Sequence, residues 1–349
     1  MAQEIKIAGK TIGPGHPCFI IAEAGSNHDR DLGQAKRLID AAVEAGADAV
    51  KFQTFTADKI AANTSHEIMK LGNEYEGVPT LYELYKGLEL PREWQAELME
   101  YALSKGIIFL TTPFDYDAVE LMEKLDVPAY KIASFELVDL PFLNYIGKKG
   151  KPVILSTGMA SLGEIEEALE AVYAAGNRQA ALLHCGISYP MPLGDVNLAV
   201  MDTLKTAFQV PVGYSDHTLG ITVPIAAAAR GARVIEKHFT IDNSLKGPDH
   251  KFALNPGELK AMVKGIREAE MCVGSPVKRL AESEKIHHQR GRRSIFAATD
   301  IPIGAEITRE MLAILRPGVG LHPRYLDTVI GRKAAVDIKT NEPITWDKI

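Results

Sequence analysis

Three cysteines in 349 residues (Cys18, Cys185 and Cys272) are too few, too far apart and odd in number for a disulfide framework or a cysteine-based zinc cluster. Positive charge is also short. Lys and Arg total 39 against 45 Asp and Glu, a net charge of −6, whereas a general nucleic-acid binder carries a basic footprint. That balance does not forbid a local basic pocket. Long apolar runs are missing, and nothing approaches the ~18 residues of a membrane helix. The opening stretch, MAQEIKIAGKTIG, lacks the apolar centre of a signal peptide. A reducing cytoplasm is the simplest setting. A glycine-rich nucleotide turn is absent as well: the first strand runs into AEAGSNHDRDLG, which has no GxGxxG spacing and so speaks against a doubly wound dinucleotide fold.

What is present is alternation. Eight short apolar, β-rich runs occupy residues 18–25, 49–55, 107–114, 129–136, 152–159, 180–185, 211–217 and 233–239. Between them lie amphipathic stretches such as LGQAKRLIDAAVEAGA and LGEIEEALEAVYAAG, stopped at Gly46 and Gly176, and PGELKAMVKGIREAEMCVG closes the series at Gly274. Near-continuous apolar strands alternating with helices mean a parallel sheet. Eight such units predict an α/β fold, a (β/α)8 TIM barrel over residues 1–275 with a short N-terminal β extension. Residues 276–293 are polar, basic and without apolar periodicity, so they read as a solvated linker; His287, His288, Arg290, Arg292 and Arg293 also allow phosphate or RNA contact, the less favoured reading. Residues 294–349 hold short β-like pieces with many turn residues, a small β-rich module.

Barrel enzymes gather their chemistry at the C-terminal ends of the strands. Here those ends carry Glu23 and Asn27; Lys51 and Gln53; Thr111 and Thr112; Lys131, Ser134 and Glu136; Ser156 and Thr157; His184; Ser215, Asp216 and His217; Glu236 and His238. Any one of them has a structural explanation, a helix cap or a lone ion pair. Polar groups at all eight ends are harder to explain so. His217 and His238 end adjacent strands, and two neutral imidazoles with oxygen ligands suit a divalent ion such as Mn2+; the bland alternative is two histidines bonded to backbone carbonyls. Lys51, Lys131, Thr112, Ser134, Ser156 and Ser215 can all donate to one anion, a phosphate ester with a carboxylate. Glu23, Glu136 and Asp249 supply acid–base chemistry or sugar hydroxyl contacts. Anion, metal and carboxylates at one mouth point to carbon–carbon bond chemistry.

Residues 21–55 (IAEAGSNHDRDLG through KFQTF), with LTTPF, YKIASFE, VILSTGM, LHC…YP, GYSDHTLG, VIEKHFT and GPDHKFAL, resemble the sialic acid synthase family, the phosphoenolpyruvate-dependent nonulosonic acid synthases. RPGVGLHPRYLDTVIGRKAAVDI resembles that family's small antifreeze-like (SAF) domain. The resemblance covers nearly the whole chain. It implies condensation of phosphoenolpyruvate with an open-chain six-carbon N-acetylated amino sugar, giving a nine-carbon 2-keto acid and phosphate. It implies that His217 and His238 hold Mn2+, with Mg2+ or Co2+ as alternatives, and that Lys51, Thr112, Lys131, Ser134, Ser156 and Ser215 contact phosphoenolpyruvate. It implies Glu23, Gln53, Glu136, Tyr189 and Asp249 around the sugar and reacting carbons, Glu23 being the first candidate for proton handling and Glu136 the second. It further implies a domain-swapped homodimer in which Arg316 enters the partner subunit's barrel. Ile187 departs from the family, which can have asparagine two residues before the tyrosine; that puts one phosphoenolpyruvate contact in doubt.

Phe135 stands where sialate and legionaminate synthases tend to have glycine, which, with LYELYKGLELPREW, resembles the pseudaminic acid synthases. A bulky Phe135 favours a deoxy sugar such as a 2,4-diacetamido-2,4,6-trideoxy-altrose. KGPDHKFAL is nearer the sialate and legionaminate pattern, so N-acetylneuraminate or legionaminate synthase is the alternative. Two rivals differ in class. A barrel synthase acting on an aldose phosphate needs more basic residues and no tail domain. An ice- or carbohydrate-binding protein predicts a flat threonine-rich face, while the tail carries Arg309, Glu310, Arg332 and Lys333.

Overall fold

The computed structural model describes residues 3–71 and 77–349. A short hairpin of Ile5–Ile7 (β1) and Lys10–Ile12 (β2) comes first. Eight parallel strands follow: Phe19–Gly25 (β3), Ala49–Thr54 (β4), Ile108–Pro113 (β5), Tyr130–Ile132 (β6), Val153–Ser156 (β7), Ala180–Cys185 (β8), Val212–Asp216 (β9) and Val234–His238 (β10). Their hydrogen-bonded order is β5-β4-β3-β10-β9-β8-β7-β6, and β6 packs beside β5 to bring the two ends of the sheet together. This is the nearly closed α/β barrel that the strand–helix alternation predicts.

The strands are buried on both faces, which is why they read as continuous apolar runs. The period of two sorts their side chains. Ile20, Ala22, Val50, Phe52, Phe109, Tyr130, Leu155, Leu182 and Ile235 belong to the large cluster packed with the surrounding helices. Phe19, Ile21, Ala49, Leu110, Ile154, Ala181, Leu183 and Val234 fill the barrel's lower interior, with Ile5, Ile7 and Ile12 of the hairpin packed into the same cluster. The floor is therefore apolar and stoppered, and the same inward-facing rows turn polar toward the strands' C-terminal ends. At Gly213 a Cβ would stand 2.1 Å from Val234 O, so only glycine allows β9 and β10 to approach as they do.

Helices follow the strands with well-formed starts. Asp31 caps Leu32–Ala45 through Gln34 N, and capping boxes of Ser161 with Glu164 and Asn255 with Glu258 open Leu162–Ala174 and Pro256–Val273. The segment between β4 and β5 also contains helices Ala57–Ile60 and Leu81–Leu88.

The chain divides into Met1–Gly274 and Ser275–Ile349. Within the second unit, Ser294–Ala297 (β11) pairs antiparallel with Leu312–Leu315 (β12). Its small core is built from Ile295, Ala297, Ile301, Ile307, Leu312, Leu321, Val329, Ile338 and Ile344. The stretch expected to be a bare linker contains a short helix, Lys285–Gly291, whose residues are all exposed. Arg316 is exposed in this unit. Among the described residues no helix is long and apolar enough to cross a membrane.

Candidate active site

A small cavity at the C-terminal ends of the strands is lined by Glu23, Lys51, Gln53, Thr112, Lys131, Ser134, Phe135, Ser156, Tyr189, Ser215, His217 and His238, together with Phe114, Ala133, Cys185 and Glu236. A groove of about 1010 Å³ at the opposite end is larger. Its charged groups are already engaged: Arg267 binds Asp48 and Glu270, and Lys10 binds Asp48. Of the buried polar atoms without a hydrogen-bond partner among the described residues, Glu23 Oε2, Glu236 Oε2 and His238 Nδ1 belong to residues lining the mouth, and none belongs to a residue lining the groove.

The centre is a quartet of buried charges. Lys51 Nζ is 2.8 Å from Glu23 Oε2, 3.8 Å from Glu236 Oε2 and donates to Thr112 Oγ1 at 3.0 Å. Lys131 Nζ donates to Ser156 Oγ at 2.7 Å and lies 3.5 Å from Glu236 Oε1, which also accepts from Ser215 Oγ at 3.1 Å. Gln53 Nε2 donates to Glu23 Oε1 at 2.8 Å. These contacts set the ionisation. Burial opposes charge on Lys51, but Glu23 and Glu236 outweigh it and raise its pKa. At Lys131 burial wins and the pKa falls. Burial alone would raise Glu236; Lys131 and Lys51 instead pull it down to about 2.

Beside the quartet stand two imidazoles with ring centroids 5.2 Å apart. His217 Nδ1 lies 2.6 Å from Gly186 O, which fixes it as the donor and leaves Nε2 bare. Burial, then the neighbouring His238, pushes His217 down to about 3, so it is neutral at pH 7. His238 Nδ1 is buried without a hydrogen-bond partner and faces Asp249 Oδ2 at 3.4 Å. Burial works against its charge, yet Asp249 and Glu23 raise its pKa. A Cβ on Gly25 would lie 3.4 Å from each of Asp249 Oδ2, Glu23 Oε1 and His238 Cε1, so these three converge on one small space. Tyr189 leans over His217 with centroids 4.2 Å apart.

An imidazole held at one nitrogen and free at the other suits a metal ligand; Gly186 O holds His217 in this way, and Asp249 Oδ2 faces the corresponding nitrogen of His238 at 3.4 Å. The pair therefore fits a divalent ion, with limits. Among the described residues no group of three or more His, Cys, Asp or Glu side chains is arranged to hold one. Two protein ligands leave most of the coordination shell to water or substrate.

Not every polar strand-end residue faces the mouth, because parity decides. Thr111 bonds Thr54 Oγ1 at 2.8 Å and Phe52 O, on the helix side. His184 Nε2 pairs with Val196 O at 2.8 Å, also outside, and Asp216 binds Lys237 there. Thr157 Oγ1 donates to Leu183 O, and Asn27 Nδ2 donates to Phe239 O, tying loops down. Strand β8 instead presents Cys185, two residues past inward-facing Leu183, a residue the sequence reading passed over. Glu236, a strand-end residue to which the sequence alone assigns no role, is the carboxylate shared by both lysines. Its parity with His238 was the available signal. Glu136 and Asp249 do not line the cavity itself. Burial lifts the Glu136 carboxyl to about 7, and its Oε2 has no hydrogen-bond partner. Ser134 Oγ accepts from Gly158 N at 3.0 Å, and Ile187 packs against Gly158. Arg316 lies in the other unit.

Two family models match the chain: the NeuB family over residues 38–278 and the SAF domain over residues 292–349. The N,N'-diacetyllegionaminic acid synthase of Legionella pneumophila is 43% identical over 354 residues, covering 100% of this chain and 99% of that one. The pseudaminic acid synthase of Campylobacter jejuni is 40% identical over 327 residues, covering 93% and 95%. The crystal structure of N-acetylneuraminic acid synthetase from Leptospira borgpetersenii, in complex with citrate, superposes with a TM-score of 0.74 at 36% identity, covering 82% of this chain and 95% of that one.

Proposed function

The chain belongs to the NeuB family of nonulosonic acid synthases and carries a C-terminal SAF domain, and on that premise we propose that it condenses phosphoenolpyruvate with a 2,4-diacetamido-2,4,6-trideoxyhexose, the altrose isomer that makes it a pseudaminic acid synthase. The observation that carries the reading is the inward ring of Lys51, Lys131, Thr112, Ser156 and Ser215 next to His217 and His238.

The anion's charge argues for a metal. Lys51 and Lys131 are already balanced by Glu23 and Glu236. A multiply charged phosphate ester needs positive charge beyond that quartet, and a divalent ion (Mn2+ before Mg2+ or Co2+) on His217 and His238 provides it. Such an ion also supplies Lewis-acid polarisation of the sugar aldehyde. The chain's own groups do the rest. Lys51, Lys131 and the hydroxyls of Thr112, Ser134, Ser156 and Ser215 orient the anion, so that its enol carbon faces the aldehyde carbon. As the new C–C bond forms, the aldehyde oxygen takes a proton and positive charge develops at the carbon bearing the phosphate. Water adds to that carbon, and phosphate leaves with the electrons of its C–O bond. Glu23, held by Gln53 and Lys51, is the first candidate to exchange these protons and Glu136 the second. Asp249 and Tyr189 sit where sugar hydroxyls or N-acetyl groups would reach. Arg316 belongs, in this reading, to the partner's barrel in a domain-swapped homodimer.

Phe135, exposed at the cavity lip, supports an acceptor with a methyl rather than a hydroxymethyl at C6. A second reading keeps that acceptor class but takes the legionaminate stereoisomer. It draws on the 43% identity to a legionaminic acid synthase along the full chain. The test is phosphate release from phosphoenolpyruvate with Mn2+ against the trideoxy-altrose, its trideoxy-mannose isomer and N-acetylmannosamine, followed by product mass. Release with the altrose sugar alone supports the first reading; release with either of the others moves the assignment to that sugar. Silence with all three overturns the acceptor class.

A further inference from the structure

Behind the two histidines, on the outer face of the barrel, lies an ion pair with no solvent exposure at all. Lys237 Nζ is 2.6 Å from Asp216 Oδ2, and both side chains are 0% exposed. The two residues are register partners, the last rung of the β9–β10 ladder. Each immediately precedes a histidine: Asp216 comes before His217 and Lys237 before His238. Period two sends Asp216 and Lys237 outward and the inward chemistry to their neighbours.

The pair also reaches past the ladder. Lys237 Nζ donates to Thr218 O, Thr218 N donates to Asp216 Oδ1 at 3.0 Å, and Thr218 Oγ1 donates to Asp216 Oδ2 at 3.1 Å. His217 is thus bracketed by two residues tied to the side chain that precedes His238. A buried ion pair is weak evidence for stability, since apolar residues of similar volume often serve the fold as well or better. Its place here has a geometric explanation, because the β9–β10 ladder stops one residue short of the imidazoles whose separation matters.

We propose that Asp216 and Lys237 are positioning residues that fix the spacing of His217 and His238 for a divalent ion. The inference rests on the two-histidine reading of the site. It is tested on the full chain with the double variant Asp216→Leu/Lys237→Met, which removes both charges together. Mn2+ affinity is measured by calorimetry, and thermal stability and kinetics follow on the same preparations. The expected result is a melting temperature at or above wild type, with Mn2+ bound about tenfold or more weakly and the KM for phosphoenolpyruvate little changed at saturating metal. A folded double variant that binds Mn2+ as wild type does overturns the proposal. If that variant does not fold, Asp216→Asn/Lys237→Gln is measured in the same way, and failure of both assigns the pair to the fold and also overturns it. Wild-type protein that binds no Mn2+ defeats the two-histidine reading itself, an outcome visible in the first titration.

Discussion

Glu23 and Lys51 are paired twice: they are register partners on adjacent parallel strands, and their side chains meet at 2.8 Å with 1% and 3% of their surface exposed. Glu23→Gln keeps the volume and the bond to Gln53 but takes one counter-charge from Lys51. Breaking a buried pair from one side costs about 3–5 kcal/mol; Glu236, 3.8 Å away, holds this case to the lower end. Loss of a proton-handling carboxylate lowers kcat by about 10²–10⁴. Adding Lys51→Met restores stability in urea unfolding without restoring turnover. Unaltered stability in the single variant would sink the coupling argument.

Metal removal gives a separate handle. Dialysis against EDTA should abolish phosphate release, and added Mn2+ should restore it. His217→Ala and His238→Ala should each remove Mn2+ binding in calorimetry. Asp249→Asn, which changes only what faces His238 Nδ1 at 3.4 Å, should weaken binding about tenfold. Full turnover in exhaustively chelated protein would end the metal reading.

Glu136 makes a pH prediction whose sign is fixed. Its folded pKa is raised by burial from 4.5 to about 7. Native protein therefore holds this proton more tightly than unfolded chain, and the group's contribution to stability falls as pH rises from about 4.5 to about 7, then levels. Glu136→Gln should gain stability over wild type at pH 8, by on the order of 1–3 kcal/mol, and nothing at pH 4. If Glu136 also handles a proton, the variant loses the ionisation near neutrality in the kcat/KM profile. Equal stability gains at both pH values would refute the burial argument.

Phe135 is 54% exposed at the cavity lip, so trimming it leaves the core intact. Phe135→Gly should shift relative kcat/KM away from trideoxy sugars toward N-acetylmannosamine, by about tenfold, the scale of a lost apolar contact. Melting temperature should stay near wild type. An unchanged preference across the three sugars removes Phe135 as a selector.

How much of this the sequence disclosed depends on which physical period carried the message. The barrel was legible because doubly buried strands are continuous apolar runs and the helices between them close on glycine, as at Gly46. Ser215 and His217 were legible because they close such a run, and Lys51 and Lys131 because each is a lysine set inside one. Parity was the weak point. Thr111, His184 and Asp216 sit at strand ends but face the helices, and only strand register separates them from Thr112, Cys185 and Ser215. Glu236 was undervalued because its two lysines come from β4 and β6, far apart in sequence. Tyr189 and Asp249 come from loops whose course depends on tertiary contacts, such as Met191 N donating to His217 O at 2.9 Å; the family resemblance marked them, whereas periodicity could not.

Arg316 allows the proposed exchange between subunits to be tested without a structure of the dimer. It is exposed within the Ser275–Ile349 unit. If it serves the other subunit's barrel, His217→Ala and Arg316→Ala chains are each inactive, but a mixed dimer holds one intact barrel supplied with one intact arginine. Random reassortment then restores about a quarter of wild-type activity. If Arg316 acts on its own barrel, every site in the mixture lacks one group or the other and nothing is restored. Unimpaired turnover in Arg316→Ala alone removes the residue from the site altogether.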